Sequence, residues 1–126
     1  MPNRIHALRG ATTVDADVPD QIDVRVQELV REMMDRNALH EEQLISILFS
    51  ATPDVTSRNP ATAARAIGLH DVPLLGLQEM QVAGMLPLCI RVMLHLESDR
   101  PRSELRHVFL HGARVLRPDL ADPGAD

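Results

Sequence analysis

The chain has 126 residues, 44% of them apolar and 25% charged, with a formal net charge of -5. That is one globular domain by size, long enough to bury a core. The acidic balance argues against a general nucleic-acid binder. No apolar run reaches the ~18 residues of a membrane span, and a single cysteine, Cys89, leaves no internal disulfide or cysteine-based zinc site.

The first fourteen residues carry Arg4, His6 and Arg9 and no apolar signal-type stretch, so a cytoplasmic location is expected. All 13 basic residues are arginine. An arginine-biased codon usage accounts for this without function. Even so, any anion chemistry must use guanidinium groups, which are always charged and suit bidentate carboxylate binding. Phe49 and Phe109 are the only aromatic residues, so base stacking is not expected.

In chain order, residues 4–14 read as a first strand that ends in Gly10-Ala11-Thr12-Thr13. Asp17 and Pro19 open a helix whose apolar positions are Ile22, Val26, Leu29, Val30, Met33 and Met34, one helical face. It should end near Asn37. Residues 44–51 (LISILFSA) are a short apolar run that fits a buried strand better than a helix. Asn59-Pro60 is a helix start, with asparagine as cap and proline in the first turn. The short helix 61–67 stops at Gly68. Val72-Pro73 begins an extended piece that reaches Glu79, and Gly84 and Pro87 then interrupt the chain.

Residues 88–96 are the clearest strand. Leu88, Ile90, Val92, Leu94 and Leu96 face one way, and Cys89, Arg91, Met93 and His95 the other. Residues 99–103 read as a turn, and 106–110 and 113–116 as further strands. The domain is assigned to residues 1–120, with 121–126 as a disordered tail. The pattern predicts an α/β (α+β) fold with one mixed β-sheet packed against helices.

Among candidate functional residues, Arg91 stands out, because a mid-strand arginine is costly to bury unless it is paired. It faces either bulk solvent on an outer sheet face or an anionic ligand, and pattern alone leaves both open. Pattern alone favours a plain surface charge for Arg9 at a strand end, Arg65 on the short helix and Arg117 before Pro118, and a capping or surface carboxylate for Glu79. His107 and His111, four apart in a predicted strand, would share a face, with His95 on a neighbouring strand. Two histidines at that spacing signal zinc mainly on a helix with a third ligand, so no metal is assigned. Cys89 reads as a small apolar filler, and no glycine-rich phosphate loop occurs.

Several pieces, taken in order, add more: Arg9-Gly10-Ala11-Thr12-Thr13-Val14; Ser50-Ala51-Thr52-Pro53-Asp54; Pro60-Ala61 with Ala64-Arg65; Val72-Pro73; Gln78-Glu79-Met80; Cys89-Ile90-Arg91-Val92-Met93; Arg106-His107-Val108; and Val115-Leu116-Arg117-Pro118-Asp119-Leu120. With this order and spacing the chain resembles the monofunctional α/β chorismate mutases, the AroH type, over nearly its whole length. The resemblance implies a homotrimer shaped like a pseudo-barrel, with active sites at subunit interfaces. It implies the Claisen rearrangement of chorismate to prephenate, in aromatic amino acid biosynthesis, with no cofactor. It also implies roles: Arg91 at the breaking ether bond, Arg9 on the enolpyruvyl carboxylate, Glu79 on the ring hydroxyl, and Arg65 and Arg117 near the mouth.

The sequence departs from that family at contact positions. Phe109 stands where the family has a tyrosine, Gly76 where it has a cysteine that helps bind the ring hydroxyl, Asn59 for a phenylalanine and Thr62 for a lysine. Each lost donor should weaken binding by roughly 0.5–3 kcal/mol. The main expectation is therefore a chorismate mutase with weakened binding or a modified preference. The alternatives are a same-fold enzyme acting on a chorismate analogue and a non-catalytic ligand-binding trimer.

Overall fold

The apolar alternation around Arg91 builds the middle of the molecule. A computed structural model describes residues 3–116. Its five strands are β1 (Arg4–Thr13), β2 (Leu44–Ala51), β3 (Leu74–Gln78), β4 (Cys89–Ser98) and β5 (Val108–Phe109), and its two helices are α1 (Pro19–Arg36) and α2 (Pro60–Arg65). The strands form one mixed sheet in the order β3-β2-β4-β1-β5. β4 is antiparallel to β1 and β2, whereas β2/β3 and β1/β5 are parallel pairs. A parallel pair needs a crossover, and α2 supplies it between β2 and β3.

α1 buries Ile22, Val26, Leu29, Val30 and Met33, the stripe expected from the sequence. Asn37 follows its last turn and is itself buried. Its amide nitrogen donates to Met33 O at 2.8 Å and Arg106 O at 2.9 Å, and its oxygen accepts from Arg106 N at 2.7 Å. One side chain thus ties the helix end to the segment that enters β5. Asn59 caps α2 by accepting from Ala61 N at 3.0 Å, with Pro60 in the first turn. The α-helical part is shorter than the expected 61–67, ending at Arg65. Ile67 N and Gly68 N still bond back to Ala64 and Arg65, and Gly68 turns the chain at φ +104°.

Both helices lie on one face of the sheet. A Cβ on Gly10 would collide with Met33 of α1, and one on Gly76 with Asn59 at the start of α2. Glycine at these two positions lets the helices approach the strands. Leu8, Ile47, Phe49, Ile90, Leu94 and Leu96 fill the interface and are fully buried. Each stabilises the fold by roughly 1.5–3 kcal/mol relative to exposure. On the opposite face Arg9, Leu48, Ser50, Arg91, Met93 and His95 are only half-buried.

The C-terminal part differs from the sequence reading. The strand expected at 106–110 pairs only over Val108–Phe109. The strand expected at 113–116 is instead part of a 3-10 segment, His111–Val115. There Ala113 N bonds to Leu110 O and Leu116 N to Ala113 O, both at 3.0 Å. His111 takes a φ of +52°, and Ala11, Phe109, Ala113 and Leu116 form a second small cluster. His107 and His111 therefore share no strand face. His107 Nδ1 accepts from Arg9 N at 3.0 Å, whereas His111 Nε2 lies 2.8 Å from Glu28 Oε1. Arg117 and the predicted tail lie outside the described residues.

Candidate active site

Strand register sets up a row of side chains across all five strands. Leu77 pairs with Ser50, Ser50 with Arg91, Arg91 with Ala11, and Ala11 with Phe109. Paired positions share a face, and here it is the face opposite the helices. Two residues along, Arg9 pairs with Met93 and Met93 with Leu48. An open cleft of about 280 Å³ lies over these rows, lined by Arg9, Leu48, Ser50, Leu77, Glu79, Arg91 and Met93, with Phe49 and Val92 at its floor.

Glu79 reaches this cleft from just beyond β3. Its N–H donates to Ala51 O at 2.8 Å, which carries the strand pairing one residue further. Its Oε1 accepts from Ser50 Oγ at 2.8 Å and lies 3.3 Å from Arg91 Nε. The Arg91 Nε–H is not aligned for a hydrogen bond, so that contact is Coulombic. Arg91 is 33% and Glu79 25% exposed, so solvent screens the pair and its own contribution to stability is small. Arg9 is fixed through its backbone, since His107 Nδ1 accepts from its N–H. That acceptor role requires a neutral His107 ring with its proton on Nε2.

The start of β4 is pinned beside Arg91. Asp54 accepts from Leu88 N at 3.0 Å, and the Thr52 hydroxyl accepts from Cys89 N at 3.0 Å and donates to Asp54 at 2.5 Å. Cys89 is buried. Burial pushes its thiol up, and the neighbouring Arg91 guanidinium opposes this only in part. It remains a protonated filler, not a nucleophile. Among the described residues, no three His, Cys, Asp or Glu side chains gather where they could hold a metal ion.

The structure thus brings together three of the expected residues, Arg9, Glu79 and Arg91. Phe109 stands in the Arg91 row but is buried beneath the 3-10 segment. Gly76 lies on the other side of β3, in a second cleft with Arg58, Asn59 and Gln78. Arg65, exposed at the end of α2, and Thr62 also belong to the helix layer. Sequence reasoning missed Ser50. The available signal was a polar side chain in the apolar run LISILFSA, on the face that alternation turns away from the core. Two guanidinium groups, one carboxylate and apolar walls suit a compact anion that carries carboxylates and a hydroxyl.

Comparison with known proteins points to one family. The family model for chorismate mutase type I matches residues 5–120. A chorismate mutase AroH of Thermus thermophilus is 44% identical over 117 residues, covering 92% of this chain and 96% of the relative. Its namesake from Bacillus subtilis is 41% identical over 118 residues, covering 93% of each. Among solved structures, a chorismate mutase from Clostridium thermocellum superposes with a TM-score of 0.86 at 42% identity, covering 87% of this chain and 98% of that one.

Proposed function

The chain belongs to the chorismate mutase type I family, and on that premise we propose that its open-face cleft converts chorismate to prephenate. The observation that carries this reading is the convergence of Arg9, Glu79 and Arg91 on one cleft. The enzyme is an isomerase, and its reaction is intramolecular: one C–O bond breaks while one C–C bond forms. The protein must fold a flexible dianion into its reactive conformer and stabilise the charge that develops.

Arg9 binds the enolpyruvyl carboxylate and holds that arm over the ring, which removes the entropy cost of finding the reactive geometry. Arg91 faces the ether oxygen. Negative charge grows there as the C–O bond stretches, so a fixed cation gains more in the transition state than in the ground state and lowers the barrier. Glu79 accepts a hydrogen bond from the ring hydroxyl. Phe109 and Gly76 offer no side-chain donor, so within this cleft the anion contacts fall to Arg9 and Arg91.

The functional unit is a homotrimer with active sites between subunits. β3 is an edge strand, and Leu75, Leu77, Met80 and Val82 on and after it are all more than half exposed. An apolar edge of this kind calls for a partner. Gly76 and Arg65 also stand apart from Arg91 within one chain, and docking of a second chain along β3 would supply the missing wall. No described helix is long and apolar enough to cross a membrane. A cytoplasmic role in phenylalanine and tyrosine biosynthesis goes with the reaction.

The test is direct. Purified protein given chorismate should yield prephenate, followed by the loss of chorismate absorbance. Light scattering should give three times the 14.0 kDa chain mass. Absence of turnover with intact chorismate binding would refute the catalytic reading, and a monomer that turns over normally would refute the interfacial site.

A further inference from the structure

We propose that Ser50 is a positioning residue for the reaction, holding the Glu79 carboxylate so that one oxygen is committed to the protein and the other is left for substrate. This rests on the Glu79 role proposed above and adds the element that makes that role possible.

A carboxylate beside an arginine tends to turn both oxygens onto the guanidinium in a two-pronged pair. Such a pair would use up both acceptors of Glu79 and the charge of Arg91 together. The geometry here is different. Oε1 accepts from Ser50 Oγ at 2.8 Å and also lies 3.3 Å from Arg91 Nε. Among the described residues Oε2 accepts no hydrogen bond. The Arg91 contact is not aligned as a hydrogen bond, so the serine hydroxyl is the group that fixes the carboxylate's rotation. It does so from a rigid place, because Ser50 lies in β2 directly across from Arg91.

Local sequence supports the same reading. Residue 50 sits in a strand whose other positions are mostly aliphatic, and serine gives up the packing that valine or isoleucine would bring there. The nearest polar position on the same strand face, Ser46, has a separate partner in His95 at 3.2 Å. The Ser50 hydroxyl has one proton to give, and giving it to Oε1 leaves the carboxylate's other oxygen as an acceptor for a hydroxyl donor. That is the group a substrate ring alcohol would present.

A double-mutant cycle on the intact protein, with chorismate as substrate, tests this. Ser50→Ala should lower kcat/KM about tenfold, with kcat falling as well as KM rising, while the melting temperature stays within a few degrees. In a Glu79→Gln background the same change should cost less than about twofold. Ser50→Thr, which keeps the hydroxyl, should retain at least about a third of the wild-type kcat/KM. Should the alanine variant melt early, Ser50→Cys, close in size with a much weaker donor, takes its place in the cycle. An equal loss in both backgrounds, or no loss in the wild type, overturns the proposal. A Glu79→Gln protein of full activity would instead refute the role of Glu79 itself, and that result is read before the cycle is closed.

Discussion

Replacing Arg91 with alanine is the sharpest perturbation of the proposed chemistry, and its size follows from the site. A guanidinium about 3 Å from an ether oxygen that gains about half a charge, at an effective dielectric near 20, contributes roughly 3 kcal/mol to the transition state. Loss of the hydrogen bond itself, apart from that charge effect, adds roughly 0.5–1.5 kcal/mol. Together these give about 4 kcal/mol, or about a thousandfold in kcat/KM. The variant also leaves Glu79 without the cation that stands 3.3 Å from it. The cleft's cationic excess is then gone, and KM for a dianion should rise while kcat falls. Initial rates with chorismate measure both, and a melting curve checks that a half-buried side chain was removed without unfolding. Arg91→Gln, which keeps a polar side chain but no charge, should be nearly as impaired as Arg91→Ala. A loss below about tenfold in Arg91→Ala, or near-normal activity in Arg91→Gln, would refute the electrostatic role.

Asn37→Leu should lower stability by roughly 2–4 kcal/mol in urea unfolding, because it strips partners from the buried end of α1 and from both backbone groups of Arg106. A change under about 0.5 kcal/mol would show that this clamp is not needed, since that is the ordinary range of a neutral surface substitution. Gly76→Ala should destabilise by roughly 1–3 kcal/mol through overpacking against Asn59, and Asn59→Gly in the same chain should recover part of the loss; strict additivity would refute the contact. Asp17 accepts from the Thr56 hydroxyl and the Thr56 and Ser57 amides, which hold its carboxyl at about 2, below the usual 3.8. A carboxyl lowered in the folded state adds stability that is full above pH 4 and is lost as pH falls toward 2. Acid unfolding across that window should therefore be shallower in Asp17→Asn, and an unchanged slope would refute the latch.

Sequence periodicity carried most of the fold because most of the elements are held by local pattern. α1 shows a 3.6-residue stripe, β4 a two-residue alternation, and Asn59-Pro60 a helix start with its own capping chemistry. The C-terminal part failed for a physical reason. Ala113-Arg114-Val115-Leu116 reads as a short strand candidate, yet Ala113 and Leu116 pack with Phe109 and with Ala11 of β1, and Gly112 N–H donates to the Thr13 hydroxyl. Ala11 and Thr13 of β1 lie far from this segment in sequence, so no local pattern reveals them. The same applies to the site. Arg9, Ser50, Glu79 and Arg91 meet only because β4 inserts between β1 and β2, and β3 returns parallel to β2. Alternation told which way Arg91 points and left open what it points at.

That alternation also couples catalysis to the core. Side chains in a strand reverse face at every residue, so a one-residue slip of β4 would carry Arg91 into the helix layer and expose Ile90 and Val92. The slip is forbidden by the burial of Ile90, Val92, Leu94 and Leu96 beneath the helices, and by the hydrogen bonds of Thr52 and Asp54 to the first residues of the strand. Core packing on one face thereby fixes the position of a charge on the other. The helix-free face remains apolar around that charge, through Leu48, Leu77 and Met93. Apolar surroundings strengthen an electrostatic contact once water is excluded, and a single layer of helices leaves this face open to water. A second subunit laid along the β3 edge would close it. The same contact would bury the exposed leucines and dry the environment of Arg91, so assembly and activity should be lost together.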